Sequence, residues 1–445
     1  MKKFLFLLWP FFALSQSYES AHLDSLFNRI DEYNKASGAA LLAEDGKTIY
    51  ARAFGWSQID GSDTLASAVD TRYRIGSISK TFTAALIMLM VEQGKLDLKQ
   101  KLADFFPDIP QADSITLDQL LSHRSGIFNF TADPNYLGFM MKSRSREEML
   151  RVIAAYAPVF EPGERYEYSN SNYVLLGYIL EEVTGQSYAK NLELLITEPL
   201  GLDNTYYGDS IAAGQGEAFS YSRLGTGEES MQTHMSIPGG AGALVSTVGD
   251  LADFAFALFN ARLLDSTSLL KILPGKDEAY GYGLARMGEE NGIAAYGHGG
   301  SIDDFQSTFY HYLAPLNLTV VVFTNTGNYY PDQIASQLVQ DYLNDPLPLP
   351  EFADYEVLPE QMDRYAGTYV NDSFPLDIEI YREGQVLKAR ATGQMPIELD
   401  PRGPGLFVFD RAAIRLEFFP EEDRMDFQQG TTALSFKRLS ETTDE

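Results

Sequence analysis

Residues 81–91, Thr-Phe-Thr-Ala-Ala-Leu-Ile-Met-Leu-Met-Val, carry no charge on any face of a helix. A helix that is apolar all round has no solvent side, so other elements must surround it. Gly94 supplies its stop. In front of the run stands Arg74-Ile75-Gly76-Ser77-Ile78-Ser79-Lys80. Ser77 and Lys80 are three apart, which puts them one above the other on a helix. The helix start adds a positive end and unpaired N–H groups beside them. A hydroxyl next to an ammonium at such a place is what serine acyl transfer requires. Ser-x-x-Lys recurs at Ser187/Lys190 and Ser268/Lys271, so the spacing alone does not separate a site from a helix surface.

The chain has 445 residues, 45% of them hydrophobic, which suits two or three domains with real cores. A net charge of −28 argues against nucleic-acid or anionic-membrane partners. The absence of cysteine excludes disulfides, thiolate metal sites, cysteine nucleophiles and a lipidated N-terminal cysteine. No two of His22, His123, His234, His298 and His311 have the spacing of a helical zinc motif. No metal or other cofactor is expected.

Met1-Lys2-Lys3 and the short apolar run at 4–14 have the form of a secretory signal, with Ala13 and Ser15 placing cleavage before Gln16. That run is too short to span a bilayer, and no later one is longer. The expectation is a signal peptide at 1–15 and an exported protein, periplasmic or secreted. A helix is expected from 21 to about 35, then a hairpin over 38–55 turning at Asp45-Gly46. Residues 95–235 read as helical and irregular, with helices at 117–122, 145–155 and 173–184. Thr247-Val248-Gly249-Asp250 forms a capping box opening a helix at 251–260. Strand patterns follow at 294–296, 307–313 and 318–325, then a helix at 333–343. The predicted class is α/β (α+β): an antiparallel sheet flanked by helices, with an inserted helical subdomain, its two terminal parts pairing in one sheet. The expected units are a catalytic domain at 20–345, a proline-rich linker at 346–360 and an all-β barrel at 361–440. The linker rests on Asp345-Pro346-Leu347-Pro348-Leu349-Pro350. The barrel rests on strands at 367–370, 376–381, 385–391, 406–409, 414–419 and 434–438.

Two further signals follow Ser77 in order. Tyr168-Ser169-Asn170 comes after the turn Glu161-Pro162-Gly163-Glu164; in extended chain its first and third side chains face one cleft. Tyr-x-Asn also occurs at Tyr342/Asn344 and Tyr369/Asn371. Gly297-His298-Gly299-Gly300-Ser301 ends a strand pattern, and its glycines let backbone approach a ligand closely. Taken alone, His298 reads equally as a turn histidine. His123 reads as structural, and Arg124 and Asp250 as surface or capping charges. Tyr206-Tyr207 and Tyr329-Tyr330 fit either a cleft rim or packing.

Ser77-x-x-Lys80, Tyr168-x-Asn170 and His298-Gly299-Gly300, in this order, resemble the three motifs of the penicillin-recognising serine hydrolases. The branch is that of class C β-lactamases, D-aminopeptidases and related esterases. Leu120-Leu121-Ser122-His123-Arg124-Ser125-Gly126-Ile127, Pro162-Gly163-Glu164, Tyr168-Ser169-Asn170-Ser171-Asn172-Tyr173 and the stretch from Gly240 to Thr247 resemble family segments too. The likeness spans about residues 20–345, and the tail resembles a lipocalin-like module. The resemblance implies that Ser77 attacks the acyl carbon while Lys80 and Tyr168 share the removal of its proton. Asn170 would orient Lys80 and the substrate, His298, Gly299 and Gly300 would line the binding edge, and the N–H groups of Ser77 and Ser301 would form the oxyanion hole. A free tyrosine titrates near ~10, so using it as a base at neutral pH costs roughly 4 kcal/mol. One ammonium at about 4 Å, with effective dielectric ~20, supplies roughly 4 kcal/mol, so Lys80 is expected to bring Tyr168 most of the way.

The third motif departs from Lys-Thr-Gly, whose lysine helps hold a substrate carboxylate in lactamases. His298 is only partly charged near neutrality. The sequence therefore predicts a serine hydrolase of esters or D-amino-acid peptides, with a small-molecule ester, peptide or β-lactam as its partner. The alternatives are a β-lactamase or DD-peptidase, or a non-catalytic binding protein that kept the fold. No nucleic-acid partner and no membrane span are expected, and the oligomeric state is open.

Overall fold

A computed structural model describes residues 18, 20–60, 63–222, 227–352, 355, 357–371, 373–384, 386–394, 396–409, 412, 414–429 and 432–439. The expected signal peptide lies outside these residues. Among them no helix is long and apolar enough to cross a membrane.

Strands β1 (Ala36–Glu44) and β2 (Lys47–Phe54) form the expected hairpin. Its turn holds Asp45 at φ 51° and Gly46 at φ 72°, the left-handed pair that a two-residue hairpin demands. Four more strands complete the sheet: β3 (Ala285–Glu290), β4 (Ile293–Ile302), β5 (Phe305–Tyr312) and β6 (Leu318–Gly327). The order is β2-β1-β6-β5-β4-β3, antiparallel throughout. The β1–β6 pair joins the two ends of the segment, as expected. Edge strand β3 carries three charged residues and a register shift between Arg286 and Gly288, which hid it from pattern reading.

Side-chain alternation divides two cores across this sheet. Ala40, Leu42, Val320 and Val322 pack under helices α1 (Ala21–Glu32) and, near the chain's Pro-rich stretch, Pro331–Tyr342. Ala39, Leu41, Val321 and Phe323 face the other way, toward helices α2 (Ser79–Glu92), α3 (Asn170–Thr184) and α4 (Val248–Phe259). The apolar helix α2 is buried along nearly its whole length, and its Phe82 stacks on Phe254 at 3.7 Å between ring centroids.

Three local features differ from the sequence pattern. Ser77 belongs to a 3-10 turn, Gly76–Ile78, that precedes α2. Three residues per turn eclipse positions i and i+3, so the Ser77–Lys80 pairing survives the change. Helix α3 begins at Asn170, not 173, because the backbone N–H of Asn170 is capped from outside by Asn129 Oδ1 at 3.0 Å. The expected capping box at 247–250 is half formed. Thr247 Oγ1 accepts from Asp250 N, while the Asp250 carboxylate accepts from Asn204 N and Thr205 Oγ1.

The C-terminal strands close into an eight-stranded barrel. Two of its strands escaped the sequence pattern. Ile397–Gly403 contains Pro401 and a register shift, and Arg424–Gln429 alternates only Met425 and Phe427 inward. The barrel meets the sheet unit where Lys35 pairs with Asp400 at 3.2 Å and Phe352 lies under both Lys35 and Arg402.

Candidate active site

The site forms where the turn before α2 meets strand β4. Gly76 has φ 51°, and a Cβ on it would stand 2.8 Å from Ser301 N. A Cβ on Gly300 would stand 2.1 Å from Ile75 O. Both glycines are therefore needed to bring the β4 edge against the nucleophile turn. Ser307 Oγ donates to Ile75 O at 2.9 Å and holds the contact. The Ser301 amide is thus set beside Gly76, the residue preceding Ser77. Gly299 follows on the exposed side of the same strand.

Ser77 Oγ lies 2.9 Å from Lys80 Nζ and accepts a hydrogen bond from Tyr168 Oη at 3.0 Å. Lys80 is fully buried. Its remaining bonds go to Asn170 Oδ1 at 2.8 Å and Ala241 O at 2.7 Å, so none of its three partners is a carboxylate. Burial without a counter-charge holds its pKa well below the ordinary lysine value. Burial likewise pushes the Tyr168 phenol up, with Ser77 opposing weakly. The expected lowering of the phenol by an ammonium is thus opposed, since burial disfavours the charged form of both groups. The amine that was expected to act as a fixed charge is instead the group more readily freed of its proton, and so available to accept one.

Asn170 is oriented from behind: its Nδ2 donates to Thr131 Oγ1 at 3.0 Å, and Thr131 Oγ1 donates to Asn129 Oδ1 at 3.1 Å. Thus Ser77, Lys80, Tyr168 and Asn170 converge in one hydrogen-bonded group. His298 stands apart from this group. Its Nδ1–H donates to Gly299 O at 2.5 Å, and its Nε2 accepts from Tyr280 Oη at 3.0 Å. The ring is 6% exposed, and burial with Lys80 nearby pulls its pKa down to about 3. Both nitrogens are engaged inside the protein, so His298 offers a substrate carboxylate neither charge nor a spare donor.

A cleft of about 310 Å³ opens beside Ser77, Asn170 and Ser301. Its walls include Phe130, Tyr136, Leu137, Met140 and Ile302. Asp303 is the one acidic or basic side chain among the described lining residues. Arg74 Nη1 pairs with it at 2.7 Å, and Thr233 donates to it through N and Oγ1 at 2.9 and 2.7 Å. A second hollow, about 360 Å³ inside the barrel, has no titratable side chain on its described walls.

The other motif matches have ordinary duties. Ser187 caps the helix Tyr188–Leu192 and Lys190 pairs with Glu193. Tyr342 donates to Glu44, and Tyr369 to Tyr365 O. Tyr207 and Tyr329 pack on Tyr188 and Phe352. Arg124 pairs with Glu278 at the surface. Four contributors went unread in the sequence: Asn129, Thr131, the Ala241 carbonyl and Tyr280. Tyr280 lies in Tyr280-Gly281-Tyr282-Gly283, where a Cβ on Gly283 would stand 2.6 Å from Lys80 O, so that glycine lets the segment close on α2. Nothing local marks Asn129 or Thr131.

A family model described as Beta-lactamase matches residues 23–344. Penicillin-binding protein 4* of Bacillus subtilis strain 168 is 24% identical over 435 residues, covering 90% of this chain and 94% of that one. The octameric penicillin-binding protein homologue from Pyrococcus abyssi superposes with a TM-score of 0.63 at 25% identity, covering 93% of this chain and 99% of that one. The D-amino acid amidase of Ochrobactrum anthropi SV3, solved with D-phenylalanine, gives 0.62 at 25% identity over 73% of this chain and all of that one. The chain belongs to the beta-lactamase family of serine hydrolases.

Proposed function

We propose that this protein is an exported hydrolase that opens uncharged amides or esters through an acyl-enzyme on Ser77. The observation that carries the reading is the placement of Ser77 Oγ between Lys80 Nζ and Tyr168 Oη. In acylation, neutral Lys80 takes the Ser77 proton as Oγ bonds to the acyl carbon, and the negative oxygen faces the Ser77 and Ser301 amides. The C–N or C–O bond then breaks. Tyr168 gives its proton to the leaving group and is reprotonated from Lys80. Water enters in the second half, and the same pair removes its proton as the Oγ–acyl bond breaks.

The cleft supports an apolar side chain on the acyl part, since its walls are aromatic and aliphatic and its one charge is already paired. Among the described lining residues no cation waits for a terminal carboxylate, which favours amides and esters over peptides ending in a free D-alanine. Similarity to a D-amino acid amidase agrees with that choice. Similarity to penicillin-binding proteins favours β-lactams as slow acylating agents, the second reading. Export rests on the basic start and short apolar run of residues 1–15.

The test is a panel of D-phenylalanine amide, p-nitrophenyl esters, D-alanyl-D-alanine peptides and nitrocefin, with wild type and Ser77→Ala. Amide or ester turnover with a product burst, absent in Ser77→Ala, is expected. Binding without turnover anywhere on the panel would favour a non-catalytic role, and fast nitrocefin turnover would favour a lactamase.

A further inference from the structure

We propose that His123 is a positioning residue, which fixes the phenol of Tyr168 against Ser77 by holding the backbone on both sides of it and packing on its ring. The inference rests on the acyl-enzyme reading above. The residue itself lies outside the three motifs, though it acts on the second of them.

His123 is fully buried. Its carbonyl accepts from Glu167 N at 2.9 Å, and its Nδ1 accepts from Ser169 N at 3.2 Å. One residue therefore grips the chain immediately before and immediately after Tyr168. The imidazole packs against the Tyr168 ring at 4.3 Å between centroids, in a cage completed by Tyr173 and Tyr280 at 5.1 and 4.8 Å. The grip continues along the segment, where Arg124 O accepts from Gly163 N and Gly126 O from Val159 N. Asn172 Nδ2 stands 3.2 Å from the same Nδ1, and its own oxygen accepts from Ser125 Oγ at 2.6 Å.

Two features cannot be explained by space filling. A backbone N–H can only donate, so Nδ1 is the acceptor and the ring proton sits on Nε2. That Nε2 is buried and has no hydrogen-bond partner among the described residues. The residue also stands at φ 55°, in the left-handed region. Each feature costs about 1–3 kcal/mol in general. An apolar residue in extended backbone would fill the same space without either cost. What the histidine adds is an acceptor and a flat ring aimed at one segment, the one that carries the phenol.

His123→Asn keeps tolerance of the left-handed backbone and an acceptor near Nδ1, while removing the part of the ring on Tyr168. His123→Phe keeps the ring and removes the acceptor. Each is expected to lower the acylation rate about 10–100-fold with KM changed less than about 3-fold, since a 1 Å misplacement can cost 10²-fold. In a Tyr168→Phe background the same substitution should add less than about 2-fold, because the group it positions is gone. A crystal structure of His123→Asn should show Tyr168 Oη beyond hydrogen-bond reach of Ser77 Oγ. A multiplicative loss in the double variant, an unchanged rate in a folded single variant, or an unmoved phenol would overturn the proposal. So would failure of both variants to fold, which would mark a purely structural residue. If wild-type Ser77 is never acylated, the hydrolase reading fails, and the crystallographic displacement still decides the role of His123.

Discussion

At the scale of single residues, the decisive contrast is between Lys80 and Tyr168. Both are buried, yet burial acts on them in opposite directions, because one is charged when protonated and the other when deprotonated. The amine is depressed and the phenol elevated, which suits the proposed roles of amine base and phenol acid. Replacing Ser77 by Ala should reduce turnover to the residual rate of binding and oxyanion contacts, a loss of at least about 10³-fold. Tyr168→Phe should slow acylation about 10²-fold with little change in ground-state binding, as for loss of a positioned acid. Lys80 also has a stability signature. Its folded pKa is below that of the unfolded chain, so the unfolded state binds the extra proton between the two values. Lys80 therefore makes stability rise with pH across that window, by up to about 1.4 kcal/mol per pH unit. Urea melts of Lys80→Met between about pH 7 and about pH 10 should show a flatter slope than wild type. An unchanged slope would mean that Lys80 stays charged in the fold.

At the scale of elements, the site depends on β4 lying directly against the nucleophile turn. Gly300→Ala places a methyl 2.1 Å from Ile75 O and 2.4 Å from Ser307 Oγ, so strand or turn must shift. The expected result is a loss of acylation of about 10²-fold or more, as when oxyanion donors are displaced, with a destabilisation of about 1–3 kcal/mol. Wild-type kinetics in this variant would remove Ser301 from the oxyanion role. Elements also show what was legible beforehand. The hairpin could be read from Asp45-Gly46, and α2 from its unbroken apolar run, since both signals are local. Ser77, Lys80, Tyr168 and Asn170 were legible as spacings, and their convergence only through the family resemblance, not from the residues themselves. That convergence depends on Asn129 and Thr131 reaching back from a loop and on a carbonyl at Ala241, none of which leaves a periodic trace. Strand β3 and the barrel strand Ile397–Gly403 were missed for a related reason: bulges and prolines erase alternation at sheet edges and corners. The neutral state of His298 was illegible too, because it follows from burial and from Tyr280, eighteen positions away.

At the scale of the whole molecule, the described residues lining the cleft all lie between Gly76 and Asp303. The barrel meets the sheet unit at Lys35, Tyr330 and Phe352 instead. Asp400→Ala removes an ion-pair partner from both Lys35 and Arg402. It should lower the thermal midpoint by a few degrees while kcat/KM stays within about 2-fold, since breaking a part-buried pair acts on stability and not on the cleft. A change in substrate preference would instead link barrel and cleft. The two units are thus separable in their expected effects, and the described lining of the cleft belongs to the sheet unit.

The proposed acyl-enzyme chemistry depends on Ser77 surrendering its proton to an uncharged amine. The direct measurement is the rate of Ser77 acylation by a neutral ester, read by quench and mass spectrometry from about pH 5 to about pH 10. The expected profile climbs once, well below the ordinary lysine range, and then stays level through neutrality. A rate that keeps climbing tenfold per pH unit to the top of the range would mean a charged Lys80 at neutral pH, and would contradict the account.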